Sequence, residues 1–151
     1  MAAGRAVTGR RAWLAVAFAL VAVTAASCSS SGEASPSPSP TGIAVTLSDF
    51  KIKPAETETP AGSVTFDLTN DGPSDHTFFM VKTDLADDVL PVADHLVQVD
   101  QLDVVAEIDT FPAGTEQSLS VDLQPGAYVM FCNLTGHYES DMHTAFTVTT
   151  G

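Results

Sequence analysis

The chain predicts an all-β protein, a Greek-key β-sandwich of about eight strands. Two observations carry this. Between Ile43 and Gly151 the apolar residues fall in short runs, several strictly alternating, with Gly, Pro, Asn or Asp turn signals about every ten residues. No strand-like run is followed by a Gly-rich turn and a long amphipathic helix, so a nucleotide-binding α/β unit is not expected. About 109 residues remain after the N-terminal stretches described next, enough to bury a core without disulfides.

Residues 1–27 read as a removable export signal. Arg5, Arg10 and Arg11 precede an apolar run, Ala12 to Val23, and then small residues lead to Cys28. Twelve apolar residues suit a signal h-region and fall short of an ordinary spanning helix. Ala25-Ala26-Ser27-Cys28 resembles a bacterial lipobox, with Ala25 where Leu is usual. Cys28 is then the lipidated N-terminus and the membrane contact is that anchor alone; otherwise Cys28 simply lies near the cleavage site. Arg10-Arg11 also resembles a twin-arginine signal. Residues 28–42 are Ser/Pro-rich, cannot build a core, and suit an extended tether of roughly 40 Å. The folded domain is therefore 43–151. The protein is expected outside the cytoplasm, lipid-anchored at the outer face of the cell membrane or free in the periplasm or medium.

Within the domain, Ile43–Leu47 and Phe50–Pro54 read as strands, and Pro60-Ala61-Gly62 as a turn. Val64, Phe66 and Leu68 alternate with polar residues as a half-buried strand. Asn70-Asp71-Gly72-Pro73 turns the chain into a strand at His76–Lys82. Thr83–Gln101 is irregular, expected as a long loop with one helical turn near Leu85 to Leu90. Strands follow at Val104–Ile108, Gln117–Leu123, Tyr128–Cys132 and Thr144–Thr149.

Charge narrows the partners. All 19 acidic residues lie after the leader, and only Lys51, Lys53 and Lys82 oppose them, leaving −16 on the exported chain. Such a surface disfavours nucleic acid, whose phosphates need Lys and Arg. It favours a basic redox protein as partner, with an attraction that weakens as salt rises. The protein is expected to act as a monomer.

The chemistry concentrates in one loop. Cys132 is an unpaired thiol once Cys28 is assigned to the lipid, and an odd thiol in an oxidising compartment calls for an explanation. His137 follows five residues later and Met142 five after that. Thiolate and thioether select soft or borderline metals, and a His₂Cys set with a weak axial Met is the type 1 copper arrangement. His76, first in its strand, supplies the missing histidine. Strand alternation puts Tyr128, Met130 and Cys132 on one face and Val129 and Phe131 on the other. Gly136 permits the bend before His137. Phe78, Met130, Phe131 and Phe146 are expected to keep the sulfur dry. Any one of these residues alone would read as ordinary core or surface; together, at loop spacing, they read as a site. His95 and His143 are left out. His95 lies in an acidic, irregular stretch, and His143 should point to the opposite strand face from Met142.

The segment GAYVMFCNLTGHYESDMHTAFTV resembles the C-terminal ligand loop of cupredoxins, the plastocyanin–azurin superfamily. Its C-x4-H-x4-M spacing most resembles the rusticyanin and sulfocyanin branch. DFKIKPAETETPAGSVTFDLTNDGPSDHTFFMVKTD resembles the N-terminal half of the same family. The resemblance covers 43–151. It implies one copper ion, cycling between Cu(I) and Cu(II), with His76, Cys132 and His137 equatorial and Met142 axial. It implies single-electron carriage without a substrate, electrons passing at the exposed edge of His137 within a partner-facing patch that includes Leu134 and Tyr138. The chain departs from the usual loop at Thr135-Gly136-His137 and at Asp141-Met142. Glu139 and Asp141 place negative charge near the metal, which should favour Cu(II). An enzyme of this superfamily would flank the cysteine with histidines, whereas Phe131 and Asn133 stand here. Copper delivery without electron traffic is the alternative function.

Overall fold

The computed structural model describes residues 42–151. The leader, Cys28 and the tether through residue 41 lie outside the described residues.

Two sheets face each other. One has the order β2-β1-β4-β9, from β1 (Ile43–Ser48), β2 (Lys51–Pro54), β4 (Gly62–Asn70) and β9 (Glu116–Leu123). The other has the order β3-β11-β10-β5-β8, from β3 (Glu58–Pro60), β5 (His76–Lys82), β8 (Asp103–Phe111), β10 (Gly126–Phe131) and β11 (His143–Thr149). The chain crosses between sheets on entering β3, β4, β5, β9 and β10, which gives the sandwich its Greek-key wiring. A small hairpin, β6 (Val92–Ala93) with β7 (Leu96–Val97), stands apart.

The alternation read in β4 is the reason for this architecture. Val64, Phe66 and Leu68 are buried, while Asp67 between them and Ser63 before them face water and Thr65 is half-buried. Their apolar face meets Phe78, Met80, Met130 and Phe146 of the opposite sheet, with Phe66 and Phe146 edge to face at 5.7 Å. Each large apolar side chain so buried contributes about 1.5–3 kcal/mol.

A second cluster lies on the other face of β5 and β10: Phe79, Val81, Val129 and Phe131, covered by Leu90, Val97 and Tyr138. This explains why β5 is buried along nearly its whole length. The cover is the 83–102 segment, which departs from the expected single helical turn. No helix forms at Leu85–Leu90; the one 3₁₀ turn in the segment is at Val99–Gln101. Tyr138 decides this. Its hydroxyl donates to the carbonyl of Asp87 at 2.7 Å and accepts from the N–H of Leu90 at 2.9 Å, drawing that backbone open. β3 was not expected: Glu58–Pro60 pairs with the edge of β11, in parallel, just before the bend at Ala61 that the Pro60-Ala61-Gly62 turn signal marks. Phe50 is a third departure. It sits at φ +61° in the two-residue link between β1 and β2, exposed rather than in a strand.

Candidate metal centre

Three of the four expected residues converge. Donor atoms of His76, Cys132 and His137 all lie within 4.8 Å of one another. Cys132 Sγ is 3.6 Å from His137 Nδ1 and 3.9 Å from His76 Nδ1. Both imidazoles thus present Nδ1 to the sulfur.

Each side chain is placed by a different device. Cys132 follows the last residue of β10, and its N–H donates to the carbonyl of Met142 at 3.1 Å, so the strand pairing effectively continues to the cysteine. The side chain is fully buried beside Met130, Phe78 and Phe146. Phe131, expected among these, turns instead into the second cluster, because neighbouring strand residues face opposite ways. His76 opens β5, one strand from β10, opposite Phe111 of β8, and is 1 % exposed. His137 closes a tight turn: its N–H donates to Leu134 at 2.9 Å and its carbonyl accepts from Met142 at 3.1 Å. Gly136 at φ +77° makes the bend, as expected, and Asp141 at φ +76° makes a second one that releases Met142 into the core. Met142 is fully buried in the same cluster as Cys132.

His76 and His137 rings meet at 5.4 Å, and Phe50 covers the other side of His137 at 5.3 Å, edge-on. Burial holds the His76 pKa below its ordinary 6.5, His137 adds to the effect, and Asp49 and Asp75 oppose it. A neutral ring keeps a lone pair for a metal.

Four contributors were not read from the sequence. Thr77 donates both its backbone N–H, at 3.4 Å, and its hydroxyl, at 3.5 Å, to Cys132 Sγ. The same hydroxyl accepts from the N–H of Asn133 at 2.7 Å. Asn70, fully buried, ties the loop before His76: its amide donates to the carbonyls of Ser74 and Phe111, and its carbonyl accepts from Gly72. Asp49 faces His76 Nε2 at 3.4 Å. Phe50 supplies the exposed aromatic next to His137. A residue that holds a ligand through space leaves no spacing signal; only the turn-former Asn70 was visible, as a turn.

Among the described residues, the donor cluster takes in neither His95 nor His143. The His95 side chain is 71 % exposed and pairs with Glu139 at 2.7 Å. His143 lies on the far face, bonded to Asp87 at 3.0 Å and packed against Tyr138. One expectation fails. Tyr138 is 5 % exposed and roofs the second cluster, so it is no part of a partner-facing patch. The amphipathic ring spends its hydroxyl on the 83–102 backbone instead of on solvent. Leu134 is half-buried against the main core.

The donor set fits copper. Metal–nitrogen and metal–sulfur bonds of about 2.0 and 2.3 Å in a trigonal array separate S from N by roughly 3.7 Å, and the observed separations bracket that value. A buried sulfur with two imidazoles and a neighbouring thioether matches the preferences of copper.

Residues 15–148 match the cupredoxin-like domain. The chain belongs to that family. No curated protein sequence matches it. Among solved structures it is similar to the dithionite-reduced auracyanin of the photosynthetic bacterium Roseiflexus castenholzii, at 20 % identity and TM-score 0.55, over 72 % of this chain and 97 % of that one. It is similar to auracyanin B at 23 % identity and TM-score 0.56, over 74 % and 91 %. It is also similar to rusticyanin from Thiobacillus ferrooxidans at 17 % identity and TM-score 0.51, over 74 % and 79 %. These likenesses establish the shared fold. With the donor set in that fold, this cupredoxin is a copper protein whose cofactor is a single copper ion.

Proposed function

We propose that this cupredoxin carries single electrons between redox partners outside the cytoplasm, with His76, Cys132 and His137 as equatorial ligands, Met142 as the axial one, and no substrate. The observation that carries the reading is the convergence of the three donors with the sulfur fully buried and held at both ends of its turn. When bound, copper supplies the one-electron couple. The chain's residues do the rest. The β10–β11 ladder and Thr77 hold the sulfur still, and a rigid site needs little rearrangement between oxidation states. Phe78, Met130 and Phe146 exclude water. His137, half-buried beside the exposed Phe50, is the route to the surface. Delivery of copper would call for an open, exchangeable site, and this one is closed.

The residues flanking Cys132 support a carrier over an oxidase. Phe131 turns into the second cluster, and Asn133 exchanges hydrogen bonds with the backbone of Val97 at 2.8 and 3.1 Å. Neither leads to a second metal. The leader and the Ser/Pro tether that begins at Cys28 support attachment to the outer face of the membrane, and the −16 charge supports a basic partner docking near His137.

The test is the visible and EPR spectrum of the copper-loaded protein beside Cys132→Ser. An intense thiolate-to-copper band with narrow hyperfine coupling, lost in the variant, is expected. A pale spectrum that the substitution does not change would overturn the assignment.

A further inference from the structure

We propose that Asp49 is a positioning residue for the metal centre: its carboxylate accepts the Nε2–H of His76 and thereby fixes that ring with Nδ1 free to face Cys132. The inference rests on the copper reading above and deepens it.

Among the described residues, Asp49 Oδ1 and His76 Nε2 are the buried side-chain polar atoms left without a hydrogen bond. They face each other at 3.4 Å. Buried polar atoms are almost always paired, so two orphans 3.4 Å apart are each other's available partner, and a small turn of either side chain closes the bond. The rest of the carboxylate is already placed: Oδ2 accepts from the hydroxyl of Ser74 at 3.2 Å.

Gly72 seals the pair. A Cβ on that residue would stand 3.0 Å from Asp49 Oδ1, 3.1 Å from His76 Nε2 and 3.2 Å from the Asp49 nitrogen. A side chain there would press the pair and the Asp49 backbone apart by a few tenths of an ångström. The loop thus lies in close approach over the pair.

The pairing selects a tautomer. A carboxylate has no proton to give, so a lone pair on Nε2 would be repelled, whereas Nε2–H is attracted. The proton on Nε2 leaves the lone pair on Nδ1, the nitrogen that faces Cys132 Sγ. A carboxylate behind a metal-bound imidazole orients the ring and raises its basicity, and loss of such a partner typically lowers metal affinity 10–100-fold. Negative charge behind the ring also favours Cu(II) over Cu(I). The β1–β2 link thus touches both histidines, His76 through Asp49 and His137 through Phe50.

The experiment uses the full chain, ¹⁵N-labelled, as wild type, Asp49→Asn and Asp49→Ala. Long-range ¹H–¹⁵N spectra of the apo and Cu(I) forms report the His76 tautomer and the exchange of its ring N–H. Cu(II) titration and the reduction potential report the metal. Wild type should show a single Nε2–H tautomer with slow exchange. D49A should lose the slow N–H and bind Cu(II) at least tenfold more weakly, with Cu(I) less affected; a tenfold selective loss raises the potential by about 59 mV. D49N keeps an acceptor and should keep the tautomer while the potential rises. A D49A protein with wild-type tautomer, exchange and affinity would overturn the proposal. If D49A does not fold, an unchanged potential in D49N would do so. A wild type without the thiolate band would sink the copper reading instead, and the apo spectra would still decide whether Asp49 holds His76.

Discussion

Replacing Thr77 by Val removes one of the two hydrogen bonds that reach the Cys132 sulfur and leaves the other. The backbone N–H at 3.4 Å stays; the hydroxyl at 3.5 Å goes. The sulfur holds more negative charge in the reduced site than in the oxidised one, where it shares density with Cu(II), so the lost bond weakens Cu(I) more. Hydrogen bonds to charged groups are worth about 1.5–3 kcal/mol at good geometry. At this length, and counting only the difference between oxidation states, roughly 0.5–1 kcal/mol remains. At about 59 mV per tenfold change in the equilibrium, the potential should fall by roughly 20–45 mV. A second effect is separable. The Asn133 N–H loses its acceptor at 2.7 Å, which should destabilise the fold by about 1–3 kcal/mol. Voltammetry of the loaded protein reads the first effect and a thermal melt of the apo protein the second, with Thr77→Ser as the control that restores the hydroxyl. A T77V potential at or above wild type, with the thiolate band intact, would refute the reasoning. So would a T77S potential as low as that of T77V.

Tyr138→Phe strands the Leu90 N–H and the Asp87 carbonyl under the 83–102 segment, and should destabilise the domain by about 1–3 kcal/mol with little change in the copper spectrum; an unchanged melt would mean the hydroxyl does not hold the segment. Burial raises the pKa of Tyr128 and Tyr138 above the ordinary 10.0. The folded state then keeps protons that the unfolded chain has lost. Stability should be intact below pH 10 and decline as pH climbs from 10 toward the folded-state values, with tyrosinate absorbance appearing together with unfolding; tyrosinate forming at pH 10 in a still-folded protein would contradict this. Asp141→Asn keeps a residue tolerant of φ +76° and removes a charge two positions before His143 and one before Met142. The reduction potential should rise, modestly because the side chain is 83 % exposed, and a lower or equal value would count against the electrostatic argument.

The donor set was legible in the sequence because it rests on local physics. Strand alternation sorts Met130 and Cys132 from Val129 and Phe131, and the structure divides them between two clusters accordingly. The loop spacing puts His137 and Met142 within one turn of Cys132, with Gly136 bending where glycine permits it. His76 could be chosen because it begins an apolar strand, and β5 does lie against β10.

What the sequence by itself determined is the loop set Cys132, His137 and Met142 as candidate donors and the period-2 pattern that makes a sandwich, since both depend on neighbours a few residues apart; His76, 56 positions from Cys132, reaches them through the pairing of β5 with β10. Tertiary structure alone decided what surrounds the donors. Asp49 and Phe50 come from the opposite sheet, Thr77 acts across 55 positions on Cys132, and Tyr138 turns inward, its hydroxyl bonded to the Asp87 carbonyl 51 positions away and to the Leu90 N–H. Such contacts are chosen by which loops the sandwich brings together at one end, and no local pattern encodes that choice.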